Sequence, residues 1–155
     1  MQDCLSIAKI QDPEEKATIA SEVLLNLPDW FGLPDSTKAF IEESKGLPLW
    51  GATIGQEVVG FITLSESSPE TGEIHCMGVK KAYHRRGIGT KLYLALEAYA
   101  REKYKYLHVK TVEEGRYPEY DQTVAFYKSL GFSKLGVFPT LWNEQNPCLI
   151  MVKAL

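Results

Sequence analysis

The chain is poor in everything that would staple or anchor it. It has three cysteines, Cys4, Cys76 and Cys148, an odd number with no metal-ligand spacing, so neither a disulfide framework nor a metal site is expected. Nothing at the start reads as a secretory signal, and the expected location is a reducing cytoplasm. No apolar run approaches the roughly 20 residues of a membrane span, which argues against a membrane partner. There is no basic excess either: 17 Lys and Arg against 20 Asp and Glu give a net charge of -3, and a nucleic-acid partner is not expected of such a surface. Repeats and low-complexity linkers are missing, and the 155 residues read as a single domain, 1–155, large enough to bury about 70% of its unfolded surface without help.

What is present is an ordinary globular composition, 45% hydrophobic and 24% charged, with periods that change along the chain. Leu5 to Ile10 reads as an edge strand. Asp12-Pro13-Glu14-Glu15 is a helix start, with Asp12 as N-cap and proline at the first position, and that helix is expected to reach about Leu27. Pro28 to Pro34 breaks it, and a second helix covers Asp35 to Lys45. Leu49–Ile54, Val58–Leu64 and Glu73–Val79 are β-rich and read as consecutive antiparallel strands, with a tight turn at Gly55 and a longer connection at Ser67-Ser68-Pro69. From Gly87 to about Lys103, Ile88, Leu92, Ala95, Leu96 and Tyr99 recur at helical spacing. A strand at Tyr106–Val112, a helix from about Asp121 to Leu130 ended by Gly131, and strands at Phe132–Val137 and Leu149–Lys153 complete the chain. The order strand–helix–helix–strand–strand–strand–helix–strand–helix–strand–strand predicts an α+β, mixed α/β architecture with helices on both faces of a mostly antiparallel mixed sheet.

The segment with the clearest chemistry is Val79 to Leu92, VKKAYHRRGIGTKL. It runs from a strand through a short basic loop with two glycines into an amphipathic helix. The free N–H groups of a helix N-terminus, a loop without bulky side chains, and Arg85 and Arg86 with their planar donor forks make a place for a phosphate or pyrophosphate. The same pattern also fits a plain glycine-rich turn with solvated arginines. It is not a P-loop, since no Gly-Lys-Ser/Thr follows, and it lacks the third glycine of the dinucleotide fingerprint. Against an acidic background, the cluster Lys80, Lys81, His84, Arg85 and Arg86 suits a compact anion better than a long polyanion.

His84-Arg85-Arg86-Gly87-Ile88-Gly89 resembles the Gln/Arg-x-x-Gly-x-Gly/Ala motif of the GNAT N-acetyltransferase superfamily, with His84 where Gln or Arg is commoner. Ala125-Phe126-Tyr127-Lys128-Ser129-Leu130-Gly131-Phe132 resembles the same family's Phe-Tyr-x-x-x-Gly-Phe junction. Tyr120 stands where the family often has Asn. The resemblance covers Leu49 to Leu155, and over Met1 to Pro48 it rests on the order of elements. It implies acetyl-CoA as cosubstrate, held through the backbone of Met77, Gly78 and Val79 along its pantetheine arm and through His84, Arg85, Arg86, Gly87, Ile88, Gly89 and Thr90 at its pyrophosphate. It implies no metal. It places Tyr127 near the sulfur, where a phenol, ordinarily titrating near 10, can protonate the departing thiolate. Backbone N–H groups near Met77 to Val79 would stabilise the tetrahedral intermediate.

A protonated amine acceptor must lose a proton before it attacks. Glu73, six residues before Val79, is the first candidate base, as in some family members. His75 shares its face of the strand and is the second. Each also reads as an ordinary sheet residue, and Cys76, on the other face, as core. Trp30, Phe31 and the loop Phe138 to Pro147, with Trp142 and Asn143, are expected to border an acceptor pocket or else to cap the core. The expected partners are acetyl-CoA and an unidentified primary amine, and the expected oligomer is a monomer or homodimer. A non-catalytic acyl-CoA-binding sensor or interaction module is the alternative, and a nucleotide- or sugar-phosphate-binding protein a more distant one.

Overall fold

The computed structural model describes residues 4–155. Its elements are β1 (Leu5–Ile10), α1 (Pro13–Leu24), α2 (Pro34–Ser44), β2 (Leu49–Ile54), β3 (Glu57–Ser68), β4 (Thr71–Val79), α3 (Ile88–Arg101), β5 (Tyr106–Val112), α4 (Pro118–Ser129), β6 (Ser133–Asn143) and β7 (Asn146–Ala154), with a 3-10 turn at Lys81–Tyr83. The strands form a seven-stranded sheet in the order β1-β2-β3-β4-β5-β7-β6. It is mixed as expected: β4 and β5 run parallel, while the β1–β2, β2–β3, β5–β7 and β6–β7 pairs are antiparallel. The chain divides into two units, one comprising Met1–Ser65 with His75–Tyr99 and the other Glu66–Ile74 with Ala100–Leu155.

In the first unit, Asp12 caps α1 as its sequence dictates, its Oδ2 accepting from Glu15 N–H at 2.9 Å. The helix ends at Leu24 rather than Leu27. Pro28 disfavours a helical residue before it, and the chain turns instead, with Trp30 and Phe31 N–H donating to Leu27 C=O. Ile19, Ala20, Val23, Leu24 and Leu27 pack with Leu49, Phe61 and Cys76 into one apolar cluster. Gly78 belongs to this packing. A Cβ there would lie 2.9 Å from Leu27 Cδ1 and 3.1 Å from Val23 Cγ1.

In the second unit, β5 pairs with β7 from Tyr106↔Ala154 to Val112↔Cys148. The parallel ladder to β4 is short, running from Thr71↔Tyr106 to Glu73↔His108. α4 starts at Pro118 rather than Asp121, because proline at the first position suits a helix start. Gly131 ends it as expected, with Gly131 N–H donating to Lys128 C=O and Phe132 N–H to Tyr127 C=O.

Two expected loops are strands. The connection at Ser67-Ser68-Pro69 shrinks to Pro69-Glu70, because Ser68 Oγ accepts from Glu70 N–H and tightens the turn. The loop expected over Phe138 to Pro147 is a hairpin tip. Asn143 Oδ1 accepts from Gln145 N–H, Asn146 N–H and Asn146 Nδ2 at 3.0 Å each, an Asx-type turn that lets β6 run on to it.

Candidate functional site

Burial along β4 alternates. Gly72, Ile74, Cys76 and Gly78 are buried, while Glu73, His75, Met77 and Val79 are half-buried. Burial pushes the Cys76 thiol far above its ordinary value, which fits a core residue.

Of the five basic residues that follow β4, three are engaged by the protein itself. Lys80 Nζ lies 2.6 Å from Glu22 Oε2 and 3.5 Å from Glu57 Oε2. Burial works against its charge, but the two carboxylates hold it above its ordinary value. Lys81 Nζ lies 3.6 Å from Asp29, and its N–H donates to Asn26 Oδ1 at 3.0 Å. His84 Nε2 is 2.6 Å from Val79 C=O. A carbonyl only accepts, so that nitrogen carries hydrogen. The Trp30 ring meets the His84 ring edge-on at 5.6 Å.

The arginines are left. Among the described residues neither Arg85 nor Arg86 pairs with a carboxylate. Both are exposed, and Arg86 lies over the Tyr83 ring at 5.2 Å. Arg85 has φ 65° and Gly87 φ 77°. Two left-handed residues so close together turn the chain sharply into α3. A Cβ at Gly87 would meet nothing within 4 Å, so the backbone angle, not crowding, calls for glycine. The first bond of α3 is Lys91 N–H to Gly87 C=O at 3.1 Å, which leaves the N–H groups of Ile88, Gly89 and Thr90 without an intrahelical acceptor. The Ile88 side chain is buried, while Gly89 and Thr90 are half-buried. One turn therefore carries three amides, the positive end of a helix and two guanidiniums without a carboxylate partner among the described residues.

His75 is occupied. Its Nε2 is 3.1 Å from Glu43 Oε2, its Nδ1 is 3.0 Å from Thr63 Oγ1, and the Phe40 ring meets it edge-on at 5.4 Å. Thr63 Oγ1 also donates to Cys76 C=O at 3.2 Å. The Glu43 carboxylate can only accept, so Nε2 carries the hydrogen of that bond, and Nδ1 faces the Thr63 hydroxyl. His75 thus ties α2 to β3 and β4 with both ring nitrogens engaged. Phe31 packs against Phe40, so Trp30 and Phe31 both belong to the packing of the first unit.

The second unit holds the other candidates. Glu73 is 19% exposed at its side chain, and its Oε2 lies 3.4 Å from Lys110 Nζ. Beside it in the ladder is His108, whose Nε2 is 2.6 Å from Ser67 Oγ. Burial lowers the His108 value from the ordinary one, opposed by the Glu73 charge and helped by Lys110. Tyr127 is only 4% exposed, with its ring edges on Phe126 and Phe132. Tyr120 meets Tyr117 edge-on, and burial raises its phenol. Trp142 stands in β6, 45% exposed. His108, Ser67 and Lys110 carry no signal in the chain itself, because their meeting with Glu73 depends on a parallel pairing that no local pattern encodes. Among the described residues no group of His, Cys, Asp and Glu could hold a metal ion.

Residues 8–132 match the acetyltransferase (GNAT) family. The chain is 36% identical over 90 residues to the N-alpha-acetyltransferase RimI of Mycobacterium tuberculosis, covering 56% of this chain and 52% of that protein. It is 35% identical over 92 residues to the mycothiol acetyltransferase of Corynebacterium glutamicum, covering 59% and 29%. It therefore spans about half the length of the first relative and under a third of the second. A GNAT family acetyltransferase from Elizabethkingia anophelis, solved with acetyl-CoA bound, superimposes with a TM-score of 0.75 at 17% identity, over 97% of this chain and 98% of that one. At that identity the likeness speaks for the fold.

Proposed function

The chain belongs to the acetyltransferase (GNAT) family, and on that premise we propose that it is an enzyme moving an acetyl group from acetyl-CoA to the primary amine of an acceptor. The observation that carries the reading is the turn from Arg85 to Thr90. Its three open amides, two left-handed residues and two guanidiniums without carboxylate partners suit a diphosphate. Each charge–dipole contact is worth about 0.3–1 kcal/mol, so several together are needed to anchor the carrier. His84 acts as a brace here. By bonding Val79 C=O it fixes where the strand ends and takes up one of that carbonyl's two lone pairs, so pairing with pantetheine falls mainly to the backbone of Met77 and Gly78 and the N–H of Val79.

The amine nitrogen bonds to the acetyl carbon, the carbon–sulfur bond breaks, and the thiolate takes a proton from Tyr127. Amides near Met77 to Val79 steady the oxyanion. Glu73 promotes loss of the ammonium proton, since both ring nitrogens of His75 already have partners within the protein. The family motif, rather than any measured distance, assigns Tyr127 its role. The 155 residues act as one N-acetyltransferase domain, and the three free cysteines suit a cytoplasmic setting.

Isothermal titration with acetyl-CoA tests the cradle: affinity at micromolar levels is expected, and no heat at hundreds of micromolar overturns it. A panel of spermidine, kanamycin, amino acids and an alanyl tetrapeptide, read by thiol release, tests the transfer. Tyr127→Phe and Glu73→Gln should slow turnover and leave acetyl-CoA affinity nearly intact. The burial of Tyr127 favours one second reading, a module that binds acetyl-CoA without transfer. Heat with acetyl-CoA but no thiol release across the panel would select it.

A further inference from the structure

Four polar side chains of the second unit meet on strands that the sequence does not show as neighbours. Ser67 comes from the end of β3, Glu73 from β4, and His108 and Lys110 from β5. Ser67 Oγ is 2.6 Å from His108 Nε2. His108 stands beside Glu73 in the ladder, and Glu73 is held by Lys110 at 3.4 Å. From β7, Val152 is the register partner of His108, and Cys148 feels both Glu73 and Lys110, although burial keeps its thiol above the ordinary value. Among the described residues, these are the titratable and charged groups facing the imidazole.

We propose that Ser67 and His108 form the proton exit for the acceptor amine, with Glu73 acting on His108 through its charge. This rests on the transfer reading above. The exposed Ser67 hydroxyl receives a proton from the ammonium and passes its own to His108 Nε2. The freed nitrogen lone pair then attacks the acetyl carbon. The imidazolium that forms is stabilised by the Glu73 carboxylate beside it and later returns its proton to solvent. The Glu73 carboxylate faces the Lys110 ammonium, whereas the His108 ring nitrogen meets an exposed hydroxyl that an acceptor can reach from solvent. A nucleophile's proton, a base within hydrogen-bond reach and a charged group next to the base form the relation required for general-base catalysis. His75, with both nitrogens committed, cannot take this role.

The test is the pH profile of kcat/KM with acetyl-CoA and whichever of spermidine, kanamycin or the alanyl tetrapeptide the wild type acetylates. The neutral ring is the active form, so the rate should rise with pH along a limb below the ordinary histidine value of about 6.5. His108→Gln should erase that limb and lower kcat/KM about 100-fold at pH 7, with acetyl-CoA affinity unchanged. Ser67→Ala should lower kcat while the acetyl-CoA titration stays the same. Glu73→Gln should move the limb to lower pH, because the negative charge that raises the His108 value is gone. NMR titration of the His108 ring reads the same shift without turnover. A limb that persists in His108→Gln, or a His108 ring whose titration ignores Glu73→Gln, overturns this proposal and leaves the transfer reading standing. A wild type that acetylates none of the three amines overturns both.

Discussion

At the scale of single residues, the three cysteines separate by environment alone. Cys4 is exposed and Cys76 and Cys148 are buried, and burial raises both buried thiols. A thiol reacts as its thiolate, so an aromatic disulfide reagent should find one fast equivalent in the native protein and three in denaturant. Two or more fast equivalents would show that a buried position opens. The sequence already placed Cys76 in the core through the alternation of its strand. It also named Glu73, His75 and Tyr127, but it could not say what holds them. Lys110 lies 37 residues beyond Glu73, and Glu43 lies 32 residues before His75. Side-chain pairs at that separation leave no periodic trace.

At the scale of elements, two glycines of one strand–turn–helix unit answer different demands. Gly87 needs its φ of 77° and has open space around it. Gly87→Ala should cost about 1–2 kcal/mol and weaken acetyl-CoA binding, because the turn that aims the helix amides must relax. Gly78 has a crowded Cβ position against Leu27 and Val23, and Gly78→Ala should cost about 1–3 kcal/mol by overpacking. Denaturant unfolding measures both. An unchanged midpoint in Gly87→Ala would mean that the turn adapts without strain. The element order was legible throughout, since caps and periods are local. The ends of elements were less so. Asn143 carried the turn signal that ends β6, but it lay inside the segment Phe138 to Pro147 that read as a loop bordering an acceptor. The basic loop was legible as a charge cluster. Which charges remain available was not, because Glu22, Asp29 and Glu57 reach it from other elements.

At the scale of the whole molecule, stability should respond to acid through His108. Burial sets its folded value below the ordinary one of about 6.5. The unfolded chain therefore binds the proton more readily. The stability it contributes is fully present above the ordinary value and is lost as pH falls through the lower, folded one. Unfolding midpoints measured from pH 7 to pH 5 should decline, and His108→Gln should flatten that part of the decline. An equal slope in the variant would assign it to other groups. The same parallel ladder that gives His108 its neighbour is what a reading of the chain alone could not supply. Strand order in a mixed sheet depends on crossovers such as α3, whose length was clear and whose destination was not.

The hydroxyl of Thr63 has a wider reach than its size suggests. Its oxygen sits between the Cys76 carbonyl and the His75 ring, and the far nitrogen of that ring reaches Glu43, so the helix carrying Glu43 is moored to the middle of the sheet through a single imidazole. The mooring of α2 therefore runs along one file of polar groups rather than over a broad face, and cutting that file at Thr63 should slacken the helix end that carries Glu43 while the surrounding apolar packing stays in place.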